Sequence, residues 1–251
     1  MSSTETSTLL DYEADEIVDI ALSRLQEIGV ELIEWRELVY GRMDVPLVFQ
    51  DYSYLVPDKC VAEVSAALTE LGLPRTPPTK FNISVYGELE TQGHFHRITR
   101  KTGPTSQHIG IYPRSFAAFA DSELEEKPPM HKEFSRCSPI LVPTPPAVYA
   151  SILRLMLRYR KGQAEMFELR SDLSELIGYH LYRLEDGYID AYNDEVWEGM
   201  NMDQRVSDAI QLVRSWSADG LWRTGEEWMG DALAEYVRTG DDKYLRHKPA
   251  S

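Results

Sequence analysis

The stretch from Val45 to Asp58, Val-Pro-Leu-Val-Phe-Gln-Asp-Tyr-Ser-Tyr-Leu-Val-Pro-Asp, constrains this chain more than any other. It is the most strand-like run in the sequence, and a charged residue, Asp51, stands in its middle. A carboxylate in a buried strand is costly unless it is paired, bound to a cation or placed at an exposed end. Pro57 closes the run, and Asp58 is placed to cap a helix over Lys59 to Leu71, with Ala62, Val64, Ala66, Ala67, Leu68 and Leu71 on its buried side. Asp58 thus has a structural explanation, and Asp51 has none.

The elements around this strand follow from periodicity. Ile17, Val18, Ala21, Leu22, Leu25 and Ile28 recur at helical spacing and Gly29 ends the run, which predicts a helix over Tyr12 to Ile28. Val30 to Tyr40 reads as a second short helix that stops at Gly41. Phe81, Ile83 and Val85 alternate with polar residues, which predicts a strand over Phe81 to Glu90. Two more short strands are expected around Gly93 to Ile98 and Gln107 to Tyr112, and a loop or flap over 121–136.

After Pro143 the pattern is helical. Thr144-Pro145-Pro146 opens a helix that runs to Lys161, because proline is accepted in a first helical turn. Further helices are expected over Glu165 to Leu184, Asp203 to Trp216 and Thr224 to Val237, the last opened by a capping box of Thr224 and Glu227. Residues 240–251 read as a tail. The expected architecture is α+β: a small mixed sheet with flanking helices over residues 12–140, followed by a helical lobe over 141–240, with a cleft between the two lobes.

Composition removes several function classes. With 43% hydrophobic and 27% charged residues the chain is an ordinary globular one, and no apolar run approaches the ~20 residues of a membrane span. The first residues lack the basic start and apolar core of a secretory signal, so a cytoplasmic protein is expected, with no membrane partner. The two cysteines, Cys60 and Cys137, are far apart and read as buried thiols rather than a disulfide framework or zinc knuckle. A net charge of −15 argues against broad nucleic-acid binding.

Within that acidic chain lies a basic island. Lys80, Arg97, Arg100, Lys101 and Arg114 face only Glu88 and Glu90, with His94, His96 and His108 beside them. Arg154, Arg158, Arg160 and Lys161 form a second cluster. Such islands mark anion sites or solvated surface.

The order of elements, with the Asp51 to Asp58 motif Asp-x-Ser-x-x-x-Pro-Asp, resembles the nucleotidyltransferase superfamily. It is most similar to the fungal proteins of nucleotidyltransferase-like fold, over roughly residues 30–180. A Pro-rich turn into the Arg-bearing helix, Ile140 to Arg160, is compatible with that likeness. In active members two aspartates at alternate strand positions hold Mg²⁺, since alternate residues share a face. The resemblance implies that Asp51 fills the first position as a cation ligand or general base, that Gly41 stands for the phosphate-loop glycine, and that Mg²⁺ is the cofactor. Ser53 stands where the second aspartate belongs, Arg42 follows Gly41, and the 107–112 strand has no aspartate. Ordinary metal-dependent nucleotidyl transfer is therefore disfavoured.

The expected catalytic set is Asp51, Ser53, Glu88 and Glu90, with the two glutamates at alternate positions as replacements for the missing carboxylate. His94, His96 and Arg100 from the first half, with Arg154 and Arg158 one helical turn apart in the second, are the expected substrate grip, because arginine forks suit phosphate. Asp172 is read as an ion-pair partner, His180 as a core histidine, and Trp197, Trp216, Trp222 and Trp228 as packing residues. The partner is then a nucleotide or another phosphate-bearing small molecule in the interlobe cleft. Two alternatives stand beside it: an enzyme that uses an aminoacyl-tRNA acceptor end, such as a fungal cyclodipeptide synthase, and a binding module without chemistry.

Overall fold

The computed structural model describes residues 8–47, 51–103, 105–184 and 199–246. The chain divides into two compact units, one of Met1–Val39 with Val48–Pro143 and one of Tyr40–Leu47 with Thr144–Ser251.

The first unit is built on a seven-stranded mixed sheet flanked by helices. Its strands are β1 (Ile33–Glu34), β2 (Asp51–Val56), β3 (Arg75–Thr76), β4 (His94–Arg97), β5 (His108–Pro113), β6 (Leu124–Lys127) and β7 (Ile140–Pro143), in spatial order β3-β4-β5-β2-β1-β7-β6. β2 runs parallel to β5 and antiparallel to β1, while β4 and β5 form an antiparallel hairpin. One face of the sheet carries Tyr52, Tyr54, Val56, Ile109 and Ile111, packed against α1 (Ala14–Glu27) and α3 (Val61–Glu70) through Ile17, Leu22, Val64 and Leu68. Strand alternation turns Asp51, Ser53, His108, Gly110 and Tyr112 to the other face.

Several elements differ from expectation. Phe81 to Glu90 is not a strand but two helical segments, α4 (Lys80–Tyr86) and α5 (Glu88–Thr91). The Thr79 hydroxyl accepts the Asn82 amide and caps α4, while Gly87, at φ 56, breaks the two apart. The alternating Phe81, Ile83 and Val85 face solvent, Phe81 at 72% exposure, so their period never reflected burial. Glu88 and Glu90 consequently do not share a strand face. Glu88 is exposed and Glu90 is turned inward.

Val30 to Tyr40 holds β1 and then α2 (Glu37–Arg42), which continues through Gly41. β1 is a two-residue strand between β2 and β7, too short for periodicity to reveal. Asp58 does not cap α3. Cys60 occupies the position before α3, and the Asp58 Oδ1 instead accepts the Ser115 amide at 3.0 Å, at the start of α6 (Arg114–Ala117). The expected flap contributes β6, whose pairing with β7 is long-range and leaves no local mark. Of the opening run, Asp51–Val56 is strand, and residues 48–50 lie outside the described residues.

The second unit is helical: α7 (Pro145–Arg158), α8 (Ala164–Leu176), a π turn over Ile177–Leu181, α9 (Met202–Ala218) and α10 (Trp228–Thr239). Pro145 and Pro146 stand in the first turn of α7. α10 begins at Trp228, so Thr224 and Glu227 form no capping box; the Glu227 Oε2 accepts the Gly225 amide instead. The tail docks through a 3₁₀ turn, Asp242–Arg246, that buries Leu245. Trp216 and Trp222 are buried edge to face, whereas Trp197 lies outside the described residues. No helix among the described residues is long and apolar enough to cross a membrane.

Candidate functional site

The face of the sheet turned away from α1 and α3 carries the polar residues that burial alone does not explain. Asp51 opens β2, and its register partner on β5 is His108. The Asp51 Oδ1 accepts a hydrogen bond from the His108 Nδ1 at 2.9 Å. A carboxylate can only accept, so Nδ1 carries the proton and Nε2 holds the lone pair of the neutral ring. The Ser106 Oγ lies 3.3 Å from that Nε2, but its own proton goes to the Gly103 carbonyl at 2.7 Å. Nε2 thus faces an oxygen whose own proton is engaged elsewhere. Both side chains are partly open, Asp51 at 35% and His108 at 16% exposure.

The row continues across the sheet. Arg97 is the register partner of His108 on β4, so a guanidinium, an imidazole and a carboxylate stand side by side on three adjacent strands. The Arg97 Nη1 donates to the backbone carbonyls of Arg100 and Lys101, which braces the β4–β5 turn. Arg100 itself is exposed and ion-paired with Asp11.

Glu90 reaches the same neighbourhood from α5. Burial pushes its carboxyl up from the ordinary range, an Asn82 amide at 3.1 Å opposes that, and the charge of Asp51 adds to the rise. His108 and Arg36 act on it in the opposite direction. Tyr112 is buried in contact with Trp35, Phe95 and Phe116, and burial raises its hydroxyl well above the usual value. Gly110 lies between Ser53 and Tyr112, where a Cβ would stand 3.1 Å from the Tyr112 ring. Ser53 is buried beneath this surface.

The expected grip separates. His94 and His96 alternate with Phe95 and Arg97, so they point to the core face, opposite Asp51. His96 is fully buried between the Ser65 hydroxyl, 2.9 Å from Nε2, and the Leu73 carbonyl, 3.2 Å from Nδ1. Both nitrogens are occupied, so none is left for a substrate. Burial lowers the pKa of His94 and His96 alike. In the second unit Arg154 is 8% exposed and forks onto Glu226, with Nε 3.0 Å and Nη2 2.5 Å from the carboxylate oxygens. Arg158 ends α7 and is exposed. Asp172 accepts from the Tyr40 hydroxyl at 2.9 Å, and the His180 ring meets the Tyr149 hydroxyl and stacks on Trp216.

The donors around Asp51 do not fit Mg²⁺. Asp51 Oδ1 is engaged by His108, Ser53 offers a neutral buried hydroxyl, and Glu90 accepts from the Asn82 amide and is made harder to ionise by burial. The ligand atoms of Asp51, Glu90 and His108 do not gather within 4.8 Å of one another; among the described residues Asp19, His131 and Cys137 do. Reasoning from sequence identified Asp51 but gave His108 only a supporting place, and it passed over Arg97 as an aligned neighbour and Ser106. The Ser106-x-His108 spacing was visible; the Asp51–His108 register, across 57 residues, was not.

No family model matches this chain, and no curated protein matches it. A solved structure that it resembles is described as an antigenic nucleotidyltransferase-like protein from Paracoccidioides brasiliensis. That likeness spans 84% of this chain and 94% of the other at 8% identity, with a TM-score of 0.38. At that identity and TM-score the likeness carries no argument about this chain.

Proposed function

We propose that this chain binds a phosphate-bearing substrate on the polar face of the first unit's sheet and transfers a group there, with His108 as general base. The observation that carries this reading is the row Arg97, His108 and Asp51 on three adjacent strands. Arg97 and the basic turn beside it supply attraction for phosphate. The His108 Nε2 takes the proton of an attacking hydroxyl as its oxygen bonds to a phosphorus of the bound substrate and the bond to the phosphate or pyrophosphate leaving group breaks, while Asp51 holds the ring's tautomer and balances the charge that forms. Ser106 accepts from the new N–H. No step requires a metal ion.

Isothermal titration with inorganic pyrophosphate and with ATP, each with and without Mg²⁺, tests the reading, together with release of phosphate or pyrophosphate from ATP. Binding is expected to be salt-sensitive and to weaken in Arg97→Gln. His108→Gln is expected to keep binding and lose turnover. An RNA acceptor end in place of a nucleotide would be recognised by binding of a minihelix RNA but not ATP. A binding module would show affinity without turnover in the wild type. Failure of every phosphate probe to bind overturns the proposal.

A further inference from the structure

A second cluster lies in the first unit at the end of the chain's β6-to-β7 connection, away from the row just described in sequence and chemistry. Asp19, on α1, is 1% exposed, and His131 and Cys137 flank it from the 128–138 segment. Its Oδ1 lies 3.2 Å from the His131 Nε2 and 3.6 Å from the Cys137 Sγ, and all the ligand atoms fall within 4.8 Å. A tetrahedral zinc ion with ordinary bond lengths sets an oxygen–nitrogen edge of ~3.3 Å and an oxygen–sulfur edge of ~3.6 Å. The cluster already has those edges.

The His131 Nε2 donates to the Asp19 Oδ1, so a metal that takes Nε2 moves the ring's proton to Nδ1, which is buried and has no hydrogen-bond partner among the described residues. Two further features suit a divalent cation. Charge is unbalanced: Asp15, Glu16, Asp19 and Glu34 act on this site against Lys132 and Arg136. A cavity of about 450 Å³ opens beside Asp19 and Cys137 and leaves room for a fourth ligand such as water.

We infer that Asp19, His131 and Cys137 are three ligands of a zinc-type divalent metal site whose fourth position faces this cavity. The Arg136 Nε holds the other carboxylate oxygen, Oδ2, at 2.6 Å, while its backbone N–H reaches Oδ1 at 3.2 Å and shares that oxygen with the metal. The Ser135 hydroxyl, 2.5 Å from Oδ1, must turn aside when a metal takes that oxygen. The Cys137 Sγ donates to the Asp19 carbonyl at 3.4 Å, and a metal that takes the sulfur as thiolate releases that proton.

The test is cobalt substitution of the full chain after chelator treatment. One Co²⁺ per chain is expected, with a near-ultraviolet cysteinate-to-cobalt charge-transfer band that Zn²⁺ abolishes by displacement. Cys137→Ser should remove the band, and Cys60→Ser should leave it unchanged. Circular dichroism of both variants, matched to the wild type, establishes that loss of the band is not loss of fold. No Co²⁺ uptake by the wild type, or a band that survives in Cys137→Ser, overturns the inference.

Discussion

Asp51 and His108 are register partners on adjacent parallel strands, and the carboxylate receives the imidazole Nδ1–H at 2.9 Å. The pairing answers the question posed by a charged residue at this point of a strand. The carboxylate is the first residue of the strand, partly exposed at 35%, and it has a partner. It also fixes which histidine nitrogen is left as a base.

The tautomer gives a direct reading. In Asp51→Asn the amide can donate to or accept from Nδ1, so the preference for Nδ1–H is lost. Nitrogen-15 shifts of the His108 ring are expected to move from a single-tautomer pattern toward a mixture. Turnover, where present, should fall by about 10²–10⁴-fold, the usual size of a general-base contribution. A ring that keeps its wild-type shifts in Asp51→Asn would rule out the orienting role.

His96 should make stability pH-dependent. Burial is the main cause of its lowered pKa, and the unfolded imidazole has the ordinary value of 6.5. As pH falls below that value the unfolded chain takes up a proton first. Stability is therefore intact above it and declines on acidification until the folded ring titrates too, by at most about 1.4 kcal/mol per pH unit for one proton. Denaturant midpoints between about pH 7 and pH 5 should fall, and His96→Leu should flatten the decline. An unchanged slope in the variant would refute the assignment.

Arg154 and Glu226 make a part-buried ion pair within the second unit. Removing one charge strands the other, so Arg154→Ala should cost about 3 kcal/mol in urea unfolding. The double variant Arg154→Met with Glu226→Leu should recover much of that loss, because neither charge is then left buried. A loss below about 1 kcal/mol in the single variant would mean that the pair is effectively solvated.

Gly93 stands where the β4 strand meets two rings. A Cβ there would lie 2.8 Å from both the Phe95 and Tyr112 side chains. Gly93→Ala should destabilise by about 1–3 kcal/mol through overpacking. Its near-ultraviolet circular dichroism should change as the Phe95–Tyr112 edge contact opens. A variant as stable as the wild type would show that the rings yield freely.

Legibility differed by element, for reasons that the residues make plain. The α1 helix was readable because Ile17, Val18, Ala21, Leu22 and Leu25 are all fully buried, so periodicity and burial coincide. In α4 they do not. Phe81, Ile83 and Val85 alternate by accident while exposed, and the capping Thr79 was the better signal. β1, β3, β6 and β7 are short, and each exists because a distant strand supplies its hydrogen bonds. Arg154 looked like a phosphate ligand because sequence spacing gives a helix face but not Glu226, 72 residues away.

From sequence alone came the α+β class, a helical second half, the β2 strand and the selection of Asp51 as a charge needing a reason. These depend on local period, turn residues and the cost of desolvating a carboxylate, all of which are written along the chain. Tertiary structure alone decided what Asp51 meets. Alternation sent His94 and His96 into the core and brought Arg97 and His108 to the same face as Asp51, and register chose His108 as its partner. Register is set by pairing between strands far apart in the chain, and shifting it by a single residue exchanges the two faces of a strand.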